Sequence, residues 1–256
     1  MIYAPLEDGW TLRLGGGGAE GELYWTPGEG GKVSANLARL EMDKLPPPPE
    51  TAEKPAPARP LNPTDWPLFE VSCGKCILDG ADFGRIKLNT LRAVGGQKLE
   101  YLTAEGGKVE LSASGEWLRA REQSSGKLKF DVSSADFTSV LRSLGYAQNL
   151  SAKNSRLSGD LDWPAAASGL AWAQAHGHIA VAFDNGTLKA VDPGAGRVLG
   201  LFNFYALPRR LTLDFRDVVK SGLAFDKING SFDLGDGVAT TNDLEIKSPS
   251  LRMEMR

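Results

Sequence analysis

The feature that most restricts how this chain can fold is a two-residue rhythm that recurs along most of its length. In SGKLKFDV, Leu128, Phe130 and Val132 alternate with Lys127, Lys129 and Asp131. Ile179, Val181 and Phe183 alternate with smaller or polar neighbours in HIAVAFD, as do Leu211, Leu213 and Phe215 in LTLDF, and Leu223 and Phe225 in GLAFD. Successive side chains of a strand point to opposite faces, so each such segment is accommodated as a half-buried strand with one dry face. The rhythm predicts strands at 10–14, 21–25, 32–42, 67–73, 84–92, 97–104, 107–117, 125–133, 156–163, 177–184, 209–217, 222–234, 237–247 and 250–256. Glycines at 15–18, 28, 30–31, 80, 95–96, 106–107 and 126 supply the turns, and Asn185-Gly186 is a two-residue hairpin signal.

Helical spacing is scarce. Phe137, Val140, Leu141 and Leu144 fall at i, i+3, i+4 and i+7, predicting a helix from Ser134 to Leu144 with Ser134 as its cap and Gly145 closing it. A second helix is expected from Pro193 to Ala206, with Asp192 as N-cap and Pro208 forcing its end, so that Arg209-Arg210 stands where helix hands over to strand. Residues 164–175 are alanine-rich and read as a short helix or an irregular loop. Between Leu45 and Pro63 lie eight of the fifteen prolines, a stretch that cannot pair in a sheet and reads as a loop or linker. The expected organisation is a β-meander over 1–44, the Pro-rich connection at 45–63, and a larger β-rich region over 64–256. That region ends in SLRMEMR, within an alternating segment, as though a strand were cut from its continuation. Many apolar strand faces and two or three helices leave two architectures: a closed sandwich or barrel, or a curved, mainly antiparallel sheet that is incompletely closed.

The chemistry-bearing residues are sparse and point away from an enzyme. With 41% hydrophobic residues, 24% charged and a net charge of −3, the chain fits neither disorder nor an electrostatic search for nucleic acid. No run reaches the ~18 apolar residues of a membrane span, and MIYAPLEDGW lacks the form of a signal peptide. The four glycines at 15–18 are not followed by the Gly-Lys-Ser/Thr of a phosphate loop, and no serine sits in a Gly-x-Ser-x-Gly elbow. Asp214, Asp217, Asp226, Asp233 and Asp236 recur without forming a dense calcium loop, which leaves them turn or solvent-face duty. Cys73 and Cys76 form a CxxC, but the sole histidines, His176 and His178, lack zinc-finger spacing, and the pair lies among strand signals rather than at a helix start. No cofactor or metal is expected.

One resemblance is specific. GAGRVLGL at 194–201, LPRRL at 207–211, LDFRD at 213–217, GLAFDKING at 222–230 and GVATTN at 237–242 resemble, in order and spacing, the C-terminal region of the YhdP branch of the AsmA-like proteins. The likeness covers most of 64–256 and, loosely, 9–44. Leu161-Asp162-Trp163-Pro164 fits the family's strand ending in Trp-Pro, with Ala165 where glycine is usual, and KSPS at 247–250 departs from the family's Gly-Pro-Ala-Ala. The resemblance implies the open alternative: a large groove-forming, taco-like β-sheet in the periplasmic part of an inner-membrane-anchored protein whose anchor is not in this chain. It implies a non-enzymatic role in phospholipid transport between inner and outer membranes, with envelope protein partners unspecified. Leu128, Phe130, Val132, Ile179, Val181, Phe183, Leu211, Leu213, Phe215, Leu223 and Phe225 are then the expected lining for acyl chains. Arg209 and Arg210 are expected at lipid headgroups, with a structural pairing to Asp214 or Asp217 as the alternative, and Pro193–Ala206 is expected at a membrane surface or plugged into the groove mouth. In a periplasm Cys73 and Cys76 are either a local disulfide or two buried thiols. The competing reading of the whole is a structural or partner-binding β-scaffold with a closed core.

Overall fold

The computed structural model describes residues 2–45, 62–78, 80–120, 123–143, 150–165, 174–188, 223–249 and 251–254. The strands are β1 (Ile2–Leu6), β2 (Gly9–Leu14), β3 (Ala19–Thr26), β4 (Lys32–Glu41), β5 (Leu68–Leu78), β6 (Ala81–Ala93), β7 (Gly96–Glu105) and β8 (Val109–Ala120). They continue with β9 (Gln123–Ser134), β10 (Leu150–Ala165), β11 (His176–Leu188), β12 (Leu223–Gly235), β13 (Val238–Thr240), β14 (Glu245–Ser248) and β15 (Leu251–Glu254). All fifteen belong to one sheet whose spatial order follows the sequence, with β13 pairing off the main path onto β12. The path runs from β1 to β15 without joining its ends, so the fold is a mainly β, open sheet.

Every ladder is antiparallel except one. β4 and β5 run parallel, Lys32 opposite Leu68 and Glu41 opposite Ile77, so the chain must leave β4 at one end of the sheet and enter β5 at the other. A parallel pair needs a long return, and the Pro-rich stretch is the connection, most of it outside the described residues. Its last part is anchored. The amide Nε2 of Gln97, a buried side chain, donates to the carbonyls of Trp66 at 2.7 Å and of Pro63 and Pro67 at 3.2 Å, and Arg92 donates to those of Thr64 and Trp66.

Among the described residues one α-helix stands against this sheet, α1 (Phe137–Ser143). It begins three residues later than the pattern predicts, because Asp136 rather than Ser134 is the cap. The Asp136 carboxylate accepts the Ser139 N–H at 3.2 Å and the Ser139 hydroxyl at 2.7 Å, while Ser134 accepts the Asp136 N–H and turns the chain out of β9. The expected helix at Pro193–Ala206 lies outside the described residues. Helix α1 contacts both β6 and β10. Those strands are four ladder steps apart, ~19 Å along a flat sheet at ~4.8 Å per step, whereas a helix is ~10–12 Å across. The sheet therefore curls up around α1.

Three further expectations are corrected. Asn185-Gly186 is not a hairpin: β11 passes through it, Asn185 takes φ +50° within the strand, and pairing resumes at Gly186 opposite Ala152 and Phe225. Gly126 is not a turn but lies inside β9, opposite Trp117 and Trp163; its missing Cβ is filled by the Trp163 ring, which would come within 2.5 Å of one. The strand expected at 237–247 is broken into β13 and β14, with Asp243 accepting the Ser231 N–H and hydroxyl at the break.

Candidate functional site: the apolar face of the open sheet

Residues directly opposite in neighbouring strands share a face, so the register converts the rhythm of the sequence into a surface. One row runs from Leu14 on β2 through Leu37, Cys73, Ile86, Ala104, Leu111, Val132 and Leu157 to Val181 on β11. A parallel row two residues along begins at Leu12 and passes through Leu23, Val71, Leu88, Leu102 and Phe130 to Ile179 and Phe232. The apolar face is thus continuous across eleven strands. Where Phe130 stands it is flanked by Ala113 and Gly159, so its ring projects above a floor of small residues.

The opposite face is polar and laced across strands. Arg13 pairs with Glu22 at 2.7 Å, Lys127 with Glu116 at 3.2 Å, Arg156 with Asp131 at 2.8 Å and His178 with Asp233 at 3.0 Å. Exposed pairs of this kind contribute ~0.2–1 kcal/mol each, and their larger effect is on register, since a one-residue slip would turn every charge inward.

Near α1 the rhythm changes phase in three strands at one level. Lys153 and Asn154 on β10, Asp184 and Asn185 on β11, and Asp226 and Lys227 on β12 are consecutive residues turned away from the apolar side. Beyond them apolar residues face inward again: Leu150 and Ala152, Leu188, then Leu223 and Phe225. The shift is shared, so the ladders stay in step, and Phe225 lies across Gly186, where a Cβ would come within 2.4 Å of its ring. Here the face is covered. Phe183 is 1% exposed and its ring centroid is 5.0 Å from that of Phe137 on α1. Asp136 at the start of α1 is held ionised below the usual aspartate range, first by the Ser139 hydroxyl and then, after an opposing effect of burial, by the Ser139 N–H, with Lys108 nearby adding to it.

The other end of the face is aromatic. Trp10 and Trp25 are paired across β2 and β3, Trp25 packs over Gly31, Trp66 meets Trp117 edge-on at 5.7 Å, and Trp163 covers Gly126. Five of the six tryptophans therefore stand along one rim. This grouping is absent from the sequence reading, although its signal was there: Trp10, Trp25, Trp117 and Trp163 each sit near the end of an alternating segment, and hairpin register brings those ends together.

Of the expected lining residues, Leu128, Phe130, Val132, Ile179, Val181, Phe183, Leu223 and Phe225 are brought onto this one face. The first three are half-buried and the others buried. Leu211, Leu213, Phe215, Arg209 and Arg210 lie outside the described residues. Cys73 and Cys76 form a disulfide across a register shift in β5, both buried in the apolar cluster. His178 stands on the polar side against the Asp233 carboxylate, and among the described residues no cluster of three or more His, Cys, Asp or Glu side chains could hold a metal ion. No helix among them is long and apolar enough to cross a membrane.

Comparison with known proteins places the chain in a family. The family model described as YhdP protein matches residues 2–256. The chain belongs to the YhdP family. Over 225 residues this YhdP-family chain is 27% identical to the intermembrane phospholipid transporter YhdP of Escherichia coli strain K12, a match covering 86% of this chain and 16% of that protein. The chain thus spans well under a fifth of that relative's length. No solved structure matches it.

Proposed function

We propose that this chain forms one segment of an apolar path along which phospholipid acyl chains pass between the two membranes of a Gram-negative envelope, with no bond made or broken. The observation that carries the reading is the continuous apolar face, spread over an open sheet and covered by α1 only at one end among the described residues. An acyl chain offers no directional groups, so a long run of Leu, Ile, Val and Phe is what it requires. The relative named as an intermembrane phospholipid transporter favours the same substrate class. In this proposal Leu128, Phe130 and Val132 form the wall that acyl chains touch, and Ile179, Val181, Phe183, Leu223 and Phe225 form the buried floor behind it, with Phe183 sealed beneath α1. Leu211, Leu213 and Phe215 extend it, Arg209 and Arg210 approach headgroups, and Pro193–Ala206 rests on a membrane surface or in the groove mouth.

The test is extraction of the purified protein with organic solvent followed by mass spectrometry of the extract, and reloading of the delipidated protein with an acyl-labelled phospholipid. Stoichiometric phospholipid, or saturable reloading, is expected. Protein that carries no lipid and takes up none would overturn the reading in favour of a structural or partner-binding scaffold.

A further inference from the structure

At the α1 end, the three-strand phase shift and the start of the helix leave an open depression of about 680 Å³ between them. Its inner side is formed by Ala152, Gly186 and the buried Phe225, with Ser151 and Thr187 beside them, on strands that run on into the apolar face under α1. Its outer side carries Lys108, from the β7–β8 turn, and Lys153 and Asn185, which the phase shift turns outward. Both lysines are exposed, and among the described residues neither lies within salt-bridge distance of a carboxylate. The one acidic group in the lining, Asp136, already accepts two hydrogen bonds from Ser139. Two ammonium groups and one carboxylate leave a net charge of +1.

We infer that this depression binds the phosphodiester of a lipid headgroup, with Lys108 and Lys153 on the phosphate oxygens, Asn185 donating beside them, and the acyl chains leaving beside α1 towards the uncovered part of the apolar face. A phosphodiester carries a single negative charge, which the net charge of the lining matches. Charge-assisted contacts from ammonium to phosphate also give a headgroup a fixed place that the featureless acyl face cannot give. The neighbouring depression, which Lys108 also lines, has no apolar side chain larger than Ala135 and offers no exit for a chain. The inference rests on the proposed lipid path but adds a polarity to it: headgroup at the α1 end, chains pointing towards the tryptophan rim.

The experiment compares the delipidated 256-residue chain with its Lys108→Glu/Lys153→Glu variant, both positions being exposed so that folding is preserved. Three probes are titrated: acyl-labelled phosphatidylglycerol, an acyl-matched labelled diacylglycerol that lacks the phosphate, and inorganic phosphate. The wild type is expected to bind the phospholipid on the order of tenfold more tightly than the diacylglycerol, with the preference shrinking as salt is raised, and the variant to bind both alike. A variant that keeps the full preference overturns the site. Equal binding of both lipids by the wild type overturns it too while leaving the lipid path standing, whereas binding of neither fails the lipid path itself. Inorganic phosphate bound as tightly as the phospholipid would assign the lysines to free phosphate and refute the headgroup reading.

Discussion

Phe130 and Phe183 lie on the same face, yet the structure assigns opposite consequences to the same substitution. Phe183 is 1% exposed beneath the Phe137 ring, whereas Phe130 is half-buried over Ala113 and Gly159. A carboxylate at position 183 would be buried without a partner, so Phe183→Asp is expected to cost more than roughly 4 kcal/mol and to unfold the α1 end. At position 130 water reaches the new side chain when lipid is absent, and the cost is the loss of partial burial, about 1–3 kcal/mol. Lipid capture should respond in reverse. A Phe ring that gives ~100 Å² to an acyl chain contributes ~2.5 kcal/mol at ~25 cal/mol per Å², so folded Phe130→Asp should bind phospholipid roughly 70-fold more weakly. Urea unfolding and uptake of a labelled phospholipid, measured on both single variants, decide the matter. If Phe130→Asp unfolds as completely as Phe183→Asp, the face at β9 is ordinary core and the lining assignment is refuted; unaltered lipid uptake by a folded Phe130→Asp refutes it equally.

Reduction of the Cys73–Cys76 disulfide should be mild, because a bridge spanning three residues closes a small loop: the chain-entropy relation gives about 2 kcal/mol. A urea midpoint that shifts by that amount with reductant, with phospholipid uptake unchanged, is expected; loss of uptake in reduced, folded protein would contradict a purely structural bridge. Asp136→Ala should remove the cap of α1 at a cost of about 1 kcal/mol at neutral pH. Because the folded protein lowers this carboxyl's pKa, its contribution is full above the ordinary aspartate value of ~3.9 and is lost as pH falls through the folded value, so wild type and variant should converge in stability below that range. A gap between them that persists at low pH would show that the effect is not the carboxylate's.

The strands were legible because alternation is local: each needs only its own residues, and Leu128 to Val132 or Ile179 to Phe183 announce their face without help. What pairs with what was less so. The parallel joining of β4 to β5 depends on where the Pro-rich chain returns, and a run of prolines specifies only that it does not pair. Asn185-Gly186 and Gly126 misled for a related reason. A positive φ and an absent Cβ serve a turn, but they also serve a kink within a strand and a bed for an aromatic ring, and only the neighbouring strands, with Phe225 over Gly186 and Trp163 over Gly126, distinguish these uses. The cap of α1 could have been found. Asp136 followed three residues later by Ser139 is a better N-terminal signature than Ser134, since the helical spacing itself begins at Phe137.

A sheet that follows sequence order and does not close is held together chiefly between neighbouring strands, much as a repeat protein is, so its apolar face need not be sealed for its ladders to persist. Domains ordinarily bury such a face against a second layer. Here α1 supplies that layer near Phe183 and the Asn62–Pro67 segment caps the tryptophan rim near Trp117, while Leu88, Leu102 and Phe130 lie half-buried between them. Acyl chains in the middle would complete the missing layer with material that can be exchanged, which a fixed second sheet could not. The shared phase shift at Lys153, Asn185 and Asp226 then has a structural logic of its own: it turns these polar side chains off the apolar face at one level without breaking the ladders on either side.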